Sequence, residues 1–372
     1  MKKSEYYSNE EIKKRNADYN VIFGERSNGK TYSVLEDMIK ECVASGYKSQ
    51  GAIVRRFEED FKGKNGSQQF DGFIHNKYGN QIEKLTNGKY NSIEFASRRW
   101  YLAKVYEDDK GKFVKEVAEE PFCIAFSLTS AEHYKSFAFP RIKIILFDEF
   151  ITRKMYIPNE FIEFQNLLST IIRDREDVVI WMCGNTINKY CPHFKEMGLT
   201  HITQMKQGTI DVYEYGESGL KVAVEYCDSP TKKGKKSDKY FAFDNPKLKM
   251  ITSGSWEIDI YPHLPYKYTP KDVKYQYFIQ FEQDILHCKI IKVGKDLFTF
   301  IHKKTTPIKD EDKYIVYSQE TSPKRNYRKK ITKPITKIES FIVSFFNKDK
   351  VFYQDNEIGE IVRNYIEWCR VN

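Results

Sequence analysis

Short apolar runs alternate with amphipathic runs over the first half of the chain. Residues 19–23 are mostly apolar and are followed by Gly24, and residues 31–44 carry apolar side chains at helical spacing, which predicts a strand, a loop and a helix. Further strands are predicted by GAIVRRF, EPFCIAFSL, KIILFDEF and DVVIWMCGN, and a helix beginning near Pro158 by IPNEFIEFQNLLSTIIRDRE. This alternation predicts an α/β domain whose mostly parallel sheet carries helices on both faces.

The rest of the chain departs from this alternation in two places. Residues 58–120 are polar and dotted with glycine around the strand-like runs SIEF and RRWYLAKVY, which predicts an insertion on the core fold. After residue 205, TIDVYEY and KVAVEYC alternate with period two, a basic stretch follows, and VKYQYFIQFEQ, ILHCKIIKVGKDLFTFIHKK and KYIVYSQ predict a strand meander before two terminal helices. We therefore expect a first domain over 1–228, a basic linker over 229–263 and a smaller α+β domain over 264–372.

The loop after the first predicted strand, GERSNGKT, has the pattern of a phosphate-binding loop. It satisfies G-x-x-x-x-G-K-[ST] between a strand and a helix. In this pattern the glycines let backbone N–H groups surround phosphate oxygens, the lysine reaches the β- and γ-phosphates, and the hydroxyl binds Mg²⁺. We predict that the whole loop binds nucleotide, through Gly24, Glu25, Arg26, Ser27, Asn28, Gly29, Lys30 and Thr31.

The predicted strand KIILFDEF ends near two adjacent carboxylates, Asp148 and Glu149. Asp148 is placed to hold Mg²⁺ together with Thr31, as the Walker B aspartate does in P-loop NTPases. Glu149 follows where a carboxylate can activate the attacking water, which favours hydrolysis over transfer of the phosphoryl group to a small acceptor. The cofactors predicted from the two motifs are ATP and Mg²⁺.

More than a hundred residues separate Lys30 from Asp148, which leaves room for further strands and is typical of the additional-strand, catalytic-glutamate branch of P-loop ATPases. Asn185 closes the next predicted strand, where it is either a sensor of the γ-phosphate or part of a Gly-Asn turn. Arg173 and Arg175 lie at the end of the predicted helix, where they either reach the site of a neighbouring subunit or complement the helix dipole. The planar fork of Arg26 could turn to phosphate oxygens or to a neighbouring subunit.

Composition adds information about the surroundings. The formal charge of +9 suggests a polyanionic partner. The seven cysteines are scattered without a C-x-x-C pair, which indicates neither a zinc site nor a disulfide framework and favours a reducing compartment. Because no run of about 18 apolar residues and no apolar signal segment is present, we expect a soluble intracellular protein without a membrane partner.

The runs GERSNGKT, ILFDEF, YIPNE and IIRDRE occur in an order that resembles the genome-packaging ATPases of small podoviruses with protein-primed DNA. The resemblance spans residues 1 to about 200. These packaging ATPases belong to the HerA/FtsK-like additional-strand lineage. It implies a ring of identical subunits, typically five, that sits on the capsid portal in the host cytoplasm and drives double-stranded DNA inward by ATP hydrolysis. It also implies a C-terminal domain resembling an RNase H-like nuclease that has lost its metal ligands and docks to the portal or a structural RNA.

The resemblance implies roles for individual residues. Lys30 and Glu149 are implied to be catalytic, Thr31 and Asp148 to hold the metal, and Arg173 to act in trans. Basic residues that follow two of the strands are implied to face the channel and contact DNA, although solvated surface charge explains them equally well. They are Arg55, Arg56, Arg153 and Lys154.

The chain departs from the family pattern in the 58–120 insertion and at Glu58, where a basic residue is expected. The acids of the C-terminal region, among them Glu282, Asp284 and Asp296, show no spacing that identifies a two-metal cluster. Other P-loop proteins remain as alternatives, namely a small-molecule kinase, a GTPase-like switch or a DNA helicase; NTINKYCP carries the Asn-Lys of a guanine-reading motif without its aspartate. The intact loop and carboxylates argue against a scaffold with an inactive NTPase domain.

Overall fold

The computed structural model describes residues 6–153, 156–228, 255–256 and 259–371. Contacts divide the chain into two compact units, Met1–Glu257 and Ile258–Asn372. This division falls inside the predicted linker, most of which lies outside the described residues. The domain bounds drawn from the sequence therefore stay a prediction.

One large mixed sheet forms the centre of the first unit. Its strand order is β3-β4-β6-β2-β7-β8-β1-β10-β9, with β5 paired to β4. Six neighbouring strands at the centre are parallel to one another, in the order β6, β2, β7, β8, β1 and β10. This confirms the predicted mostly parallel sheet. The strands are β1 (Tyr19–Gly24), β2 (Gln50–Arg55), β3 (Ser92–Ala96), β4 (Arg99–Glu107), β5 (Phe113–Val117), β6 (Cys123–Ser127), β7 (Ile142–Asp148), β8 (Val179–Asn185), β9 (Thr209–Tyr215) and β10 (Leu220–Cys227).

Helices cover both faces of this sheet, as the sequence predicts. Alternate strand residues point to opposite faces, so Val21 and Phe23 pack in the cluster that contains α6, whereas Ile22 packs in the cluster that contains α2. A 3₁₀ helix, Leu128–Tyr134, follows β6. The α-helices described in this unit are α1 (Glu10–Lys13), α2 (Lys30–Ala44), α3 (Lys64–Ser67), α4 (Asp71–Ile74), α5 (Gln81–Leu85), α6 (Glu160–Ile172) and α7 (Pro192–Glu196).

The predicted insertion is part of the core. Its strands β3, β4 and β5 extend the sheet through antiparallel pairing. Several of its aromatic side chains, Phe70 and Trp100 among them, are fully buried in the same cluster as α2. Phe73 stacks on Tyr32 of α2 with ring centroids 4.0 Å apart. The inserted segment is therefore packed against the helix that follows the phosphate loop.

The second unit contains a six-stranded sheet in the order β15-β14-β11-β12-β13-β16. Strands β11, β12 and β13 form an antiparallel meander, as predicted, whereas β14, from the run KYIVYSQ, pairs parallel to β11 and does not continue the meander. Two helices contact β13. The elements are β11 (Val273–Phe281), β12 (Asp284–Val293), β13 (Asp296–Lys304), β14 (Ile315–Ser318), β15 (Tyr327–Arg328), α8 (Lys337–Asn347), β16 (Val351–Tyr353) and α9 (Asn356–Val371).

Two general features complete the picture. Within the described ranges, no helix combines the length and the apolar character needed to cross a bilayer. All seven cysteines are free thiols and all are buried.

Candidate nucleotide and hydrolysis site

The loop between β1 and α2 contains two positions that require glycine. Gly24 is in register with Asn185 of β8 and Cys227 of β10, and a Cβ atom there would come within 2.5 Å of Cys227 Sγ. Gly29 caps α2 with a φ of 99°, and a Cβ atom there would lie 3.3 Å from the Cβ of Tyr6. Only glycine allows this packing and this backbone conformation. The loop thus presents the N-terminus of a long helix, which attracts anionic groups.

Lys30 is held among oxygen acceptors at the base of the loop. Its Nζ lies 2.6 Å from the Glu25 carbonyl oxygen, 3.2 Å from Asn28 Oδ1 and 3.3 Å from Asn185 Oδ1. The side chain is buried, and burial lowers the pKa of its ammonium group. The structure therefore brings the predicted sensor, Asn185, directly to the predicted phosphate-binding lysine.

Thr31 and Asp148 meet at the carboxyl edge of the parallel strands. The Thr31 hydroxyl donates to Asp148 Oδ1 over 2.7 Å, and Asp148 is 4% exposed. Hydroxyl and carboxylate oxygens are ligands that Mg²⁺ prefers, and this ion completes its coordination with water and phosphate oxygens. The pair therefore fits the magnesium site that the sequence predicts.

Arg55, at the end of β2, lies beside both carboxylates. Its Nη2 pairs with Asp148, and its Nη1 lies 3.3 Å from Glu149 Oε2. The sequence suggested a DNA contact for Arg55. In the structure the guanidinium pairs with the two acids of the candidate site, and its contact with DNA stays a prediction.

Glu149 stands in a conformation that is uncommon for a residue with a side chain. Its φ is 58°, in the left-handed region, and its carboxylate is 63% exposed. Such a backbone persists only where neighbouring contacts hold it in place. Arg56 supplies those contacts, since its two Nη atoms donate to the carbonyl oxygens of Glu149 and Phe150. The candidate base is thus exposed by a backbone turn that a buried arginine fixes.

Arg56 belongs to a buried network that the sequence reasoning missed. Glu160 accepts hydrogen bonds from Nε and Nη2 of Arg56, each over 2.8 Å, and its Oε1 lies 2.9 Å from His193 Nε2. Burial alone would raise the pKa of Glu160, but the hydrogen bond from His193 and the charge of Arg56 outweigh burial and lower it. Burial also lowers the pKa of His193, and its Nε2 donates to Glu160 because an ionised carboxylate can only accept. Glu160 lies in YIPNE, one of the runs that carry the family resemblance, but the sequence indicated no role for this acid.

The predicted DNA-contacting set is not gathered at one exposed place. Arg56 is 7% exposed and its guanidinium is engaged on carbonyl and carboxylate oxygens, so its side chain lies in the interior, and its contact with DNA stays a prediction. Arg153 is half-buried and donates to the Ile187 carbonyl oxygen over 3.2 Å. Lys154 lies outside the described residues.

The remaining arginines differ in how firmly they are held. Arg26 is exposed in the phosphate loop and lines its cavity. Arg175 donates to five backbone carbonyl oxygens, which makes it part of the packing at the end of α6. Arg173 is exposed with a φ of 52° and donates to the Phe137 carbonyl oxygen over 2.8 Å. Arg173 is not one of the described residues that line the phosphate-loop cavity.

A cavity of about 1150 Å³ opens over the phosphate loop. One wall carries the predicted residues, among them Lys30, Thr31, Asp148, Glu149 and Asn185. The other wall was not predicted, because it comes from the N-terminal segment and the inserted segment. It includes Tyr6, Tyr7, His75, Asn76, Lys77, Tyr78 and Gln81.

The sheet order and this loop together define the class of the first unit. Strand β8 lies between β1, which leads into the phosphate loop, and β7, which ends at Asp148. A phosphate loop with an additional strand between the two motif-bearing strands is the arrangement of the additional-strand P-loop domains. Residues 1–238 match the family described as podovirus DNA encapsidation protein (Gp16). The chain belongs to this family.

Individual relatives agree with the family. The chain is 27% identical over 190 residues to the DNA packaging protein of Bacillus phage B103, covering 48% of each chain. It is 26% identical over 197 residues to the DNA packaging protein of Bacillus phage phi29, covering 52% of this chain and 50% of the relative. The match thus spans about half the length of these relatives.

Solved structures share the fold over nearly the whole chain. The bacteriophage Phi-29 viral genome packaging motor assembly superposes with a TM-score of 0.53 at 18% identity, covering 97% of each chain. The Phi-28 gp11 DNA packaging motor gives a TM-score of 0.51 at 15% identity, covering 98% of this chain and 96% of that one. At these identities the likeness shows a common fold.

Proposed function

We propose that this protein hydrolyses ATP at the site formed by the phosphate loop and the end of β7. The observation that carries the proposal is the Thr31–Asp148 contact of 2.7 Å beside the buried Lys30. Lys30 and the N-terminus of α2 would hold the phosphates, and Mg²⁺ bound by Thr31 and Asp148 would neutralise charge on them. The exposed Glu149 would accept a proton from the attacking water.

We further propose that hydrolysis drives double-stranded DNA into a preformed viral capsid. Membership of the DNA encapsidation family and the net charge of +9 support a polyanionic substrate. The working form would be a homo-oligomeric ring, a pentamer by the resemblance, on the capsid portal in the host cytoplasm, with a structural RNA as a further candidate partner. Arg153 and Lys154 remain the candidate DNA contacts, whereas Arg55 and Arg56 are assigned to the hydrolysis site.

Arg173 is the candidate arginine finger of this ring. Its side chain is exposed and lies outside its own chain's cavity lining, so a contact with the γ-phosphate would have to be made in a neighbouring subunit. An arginine supplied in trans stabilises the charge that develops on the transferring phosphoryl group. Sensing of one subunit's nucleotide by the next would then couple the sites around the ring.

For the second unit we propose an RNase H-like fold that serves in docking. An antiparallel meander with a parallel strand added beside its first strand supports this assignment. Of the acids named from the sequence, Glu282 and Asp284 lie at one turn and Asp296 lies at the next. No group of three metal-binding side chains occurs in the described part of the chain.

The proposal is tested by ATP hydrolysis of the wild type and of Glu149→Gln, with and without long double-stranded DNA, at two salt concentrations. DNA should stimulate turnover, and the stimulation should fall at higher salt because phosphate contacts release counterions. Glu149→Gln should lower turnover by about 10² to 10⁴-fold, the range for loss of a general base. Turnover that DNA does not change, or that needs a small hydroxyl acceptor, would contradict the proposed translocase and favour a kinase.

The trans role of Arg173 is tested by mixing two inactive variants. A ring that contains both Glu149→Gln and Arg173→Ala subunits forms some sites with an intact Glu149 from one subunit and an intact Arg173 from the next. Mixing should therefore restore part of the DNA-stimulated turnover, whereas each variant alone stays inactive. If Arg173 acts within its own subunit, mixing restores nothing.

A further inference from the structure

The unpredicted wall of the nucleotide cavity brings together two tyrosines from distant parts of the chain. Lys77 Nζ lies 5.4 Å from the ring centroid of Tyr6 and 4.7 Å from that of Tyr78, within the range of cation–π contacts. The rings are 44% and 60% exposed, respectively. Two accessible aromatic faces therefore flank one cation at the side of the cavity.

The N-terminal segment fixes Tyr6 directly above the phosphate loop. The Tyr7 backbone N–H donates to the Asn28 carbonyl oxygen over 2.8 Å, and the Tyr7 hydroxyl donates to Glu225 over 2.6 Å. The closeness of Tyr6 to Gly29, where a Cβ atom would lie 3.3 Å from it, places the first aromatic ring beside the helix N-terminus. Tyr6 is thus adjacent to the place where phosphates would bind.

The inserted segment holds Tyr78 from the other side. Asn76 Nδ2 donates to the Tyr32 hydroxyl over 3.4 Å, and the stacked Tyr32 and Phe73 rings attach the same segment to α2. Lys84 Nζ and Gln81 Nε2 donate to the carbonyl oxygens of Tyr78 and Gly79. Tyr78 therefore projects from a turn that is tied to the helix of the phosphate loop.

We infer that Tyr78, together with Tyr6, forms the stacking surface for the base of a nucleoside triphosphate whose phosphates lie on the Gly24–Thr31 loop. This inference rests on the proposed function. The ring faces offer stacking, which every base accepts through its π-face. The exposed rings lie one side chain apart along the wall of a cavity far larger than the phosphates alone need. The inserted segment, which packs against α2, thereby becomes part of the nucleotide site.

The test compares ATP with inorganic tripolyphosphate, each with Mg²⁺, by calorimetric titration of the full chain. Tyr78→Ala should weaken ATP binding about tenfold, which corresponds to the lower end of base–aromatic stacking. Tripolyphosphate has no base, so its affinity should change less than about twofold. Tyr78→Phe should bind ATP as the wild type does, because the ring is kept. Tyr6→Ala should reproduce the selective loss.

Matched controls come from the same inserted segment. Tyr106→Ala and Phe113→Ala remove exposed aromatic side chains of β4 and β5 that do not line the cavity among the described residues. Neither should change ATP binding. Equal loss of both ligands in Tyr78→Ala, or no loss of either, would overturn the inference while the proposed ATPase stands. A wild type that binds neither ligand would instead overturn the proposed function itself, and the base subsite with it.

Discussion

The two sheets of this protein treat their acidic residues in opposite ways. In the first unit, six parallel strands bring their carboxyl ends to one edge, so Gly24, Asp148 and Asn185 come together although they are far apart in sequence. In the second unit, β11, β12 and β13 are antiparallel. Their connecting turns therefore lie at alternating edges.

The acids of the second sheet show the consequence. Glu282 and Asp284 lie at the turn between β11 and β12, whereas Asp296 begins β13 after the next turn, at the opposite edge. Each has a local partner: Glu282 accepts from Gln319 Nε2 at 3.2 Å, Asp284 pairs with Lys303 at 2.8 Å, and Asp296 accepts from the Tyr266 hydroxyl at 2.7 Å. Parallel pairing concentrates polar groups where a ligand can meet them all, and antiparallel pairing disperses them.

The largest expected effect sets one carboxylate of each sheet against the other. Asp148→Asn should lower Mg²⁺-dependent ATP hydrolysis about a thousandfold, because the metal loses its charged protein ligand. Asp284→Asn removes the same charge from the second sheet and should leave turnover within about twofold. Steady-state hydrolysis at several Mg²⁺ concentrations measures both. A comparable loss in Asp284→Asn would mean that the second sheet shares in the chemistry.

The next effect concerns stability. Arg56→Gln leaves Glu160 buried without its charged partner, and loss of one member of a buried ion pair costs about 3 kcal/mol or more. Arg370→Gln breaks an exposed pair with Glu367 in the second unit, at 2.9 Å, and should cost less than about 0.5 kcal/mol. Urea denaturation followed by tryptophan fluorescence compares the two. A small loss in Arg56→Gln would show that the network does not hold the turn at Glu149.

The smallest expected effect tests a carboxylate within the first sheet. Burial raises the pKa of Glu225 to about 7 from an ordinary value of 4.5, against the hydrogen bond from Tyr7. Folding therefore favours the protonated acid, and its ionisation reduces stability as pH rises through this interval. Between pH 5 and pH 8, Glu225→Gln should gain about 2 kcal/mol in unfolding free energy relative to the wild type.

A control for this pH dependence lies on the neighbouring strand. Glu214 of β9 is 67% exposed and lies 3.4 Å from Lys221. Glu214→Gln should follow the wild type within about 0.5 kcal/mol at both pH values. If the unfolding free energy of Glu225→Gln changes between the two pH values as that of the wild type does, Glu225 is already ionised in the folded protein and the assignment of a raised pKa fails.

Much of the first unit could be predicted from sequence because its signals are local. The loop GERSNGKT and the strand KIILFDEF each carry their chemistry within eight residues, and parallel strands make their meeting point predictable. The apolar runs identified the six central strands and the two long helices. The meander of the second unit followed from the same alternation of apolar and polar residues.

The sequence was least informative where the role of a side chain depends on how deeply it is buried. Arg55 and Arg56 are neighbours at the end of one strand, and nothing in the sequence distinguishes a surface arginine from one that enters the core. Their partners, Asp148 and Glu160, lie about a hundred residues away. The aromatic wall of the cavity was missed for the same reason, since Tyr6 and Tyr78 meet only through the packing of the insertion on α2.

The buried cysteines make the protein convenient for single-molecule fluorescence. All seven thiols are inaccessible in the folded chain, and burial raises the pKa of Cys42, Cys191 and Cys227 to about 11. Maleimide dyes react with exposed thiolates, so the native thiols should label slowly. A single cysteine introduced at Phe113 or at Tyr106 would carry one dye on each chain without prior removal of the native cysteines.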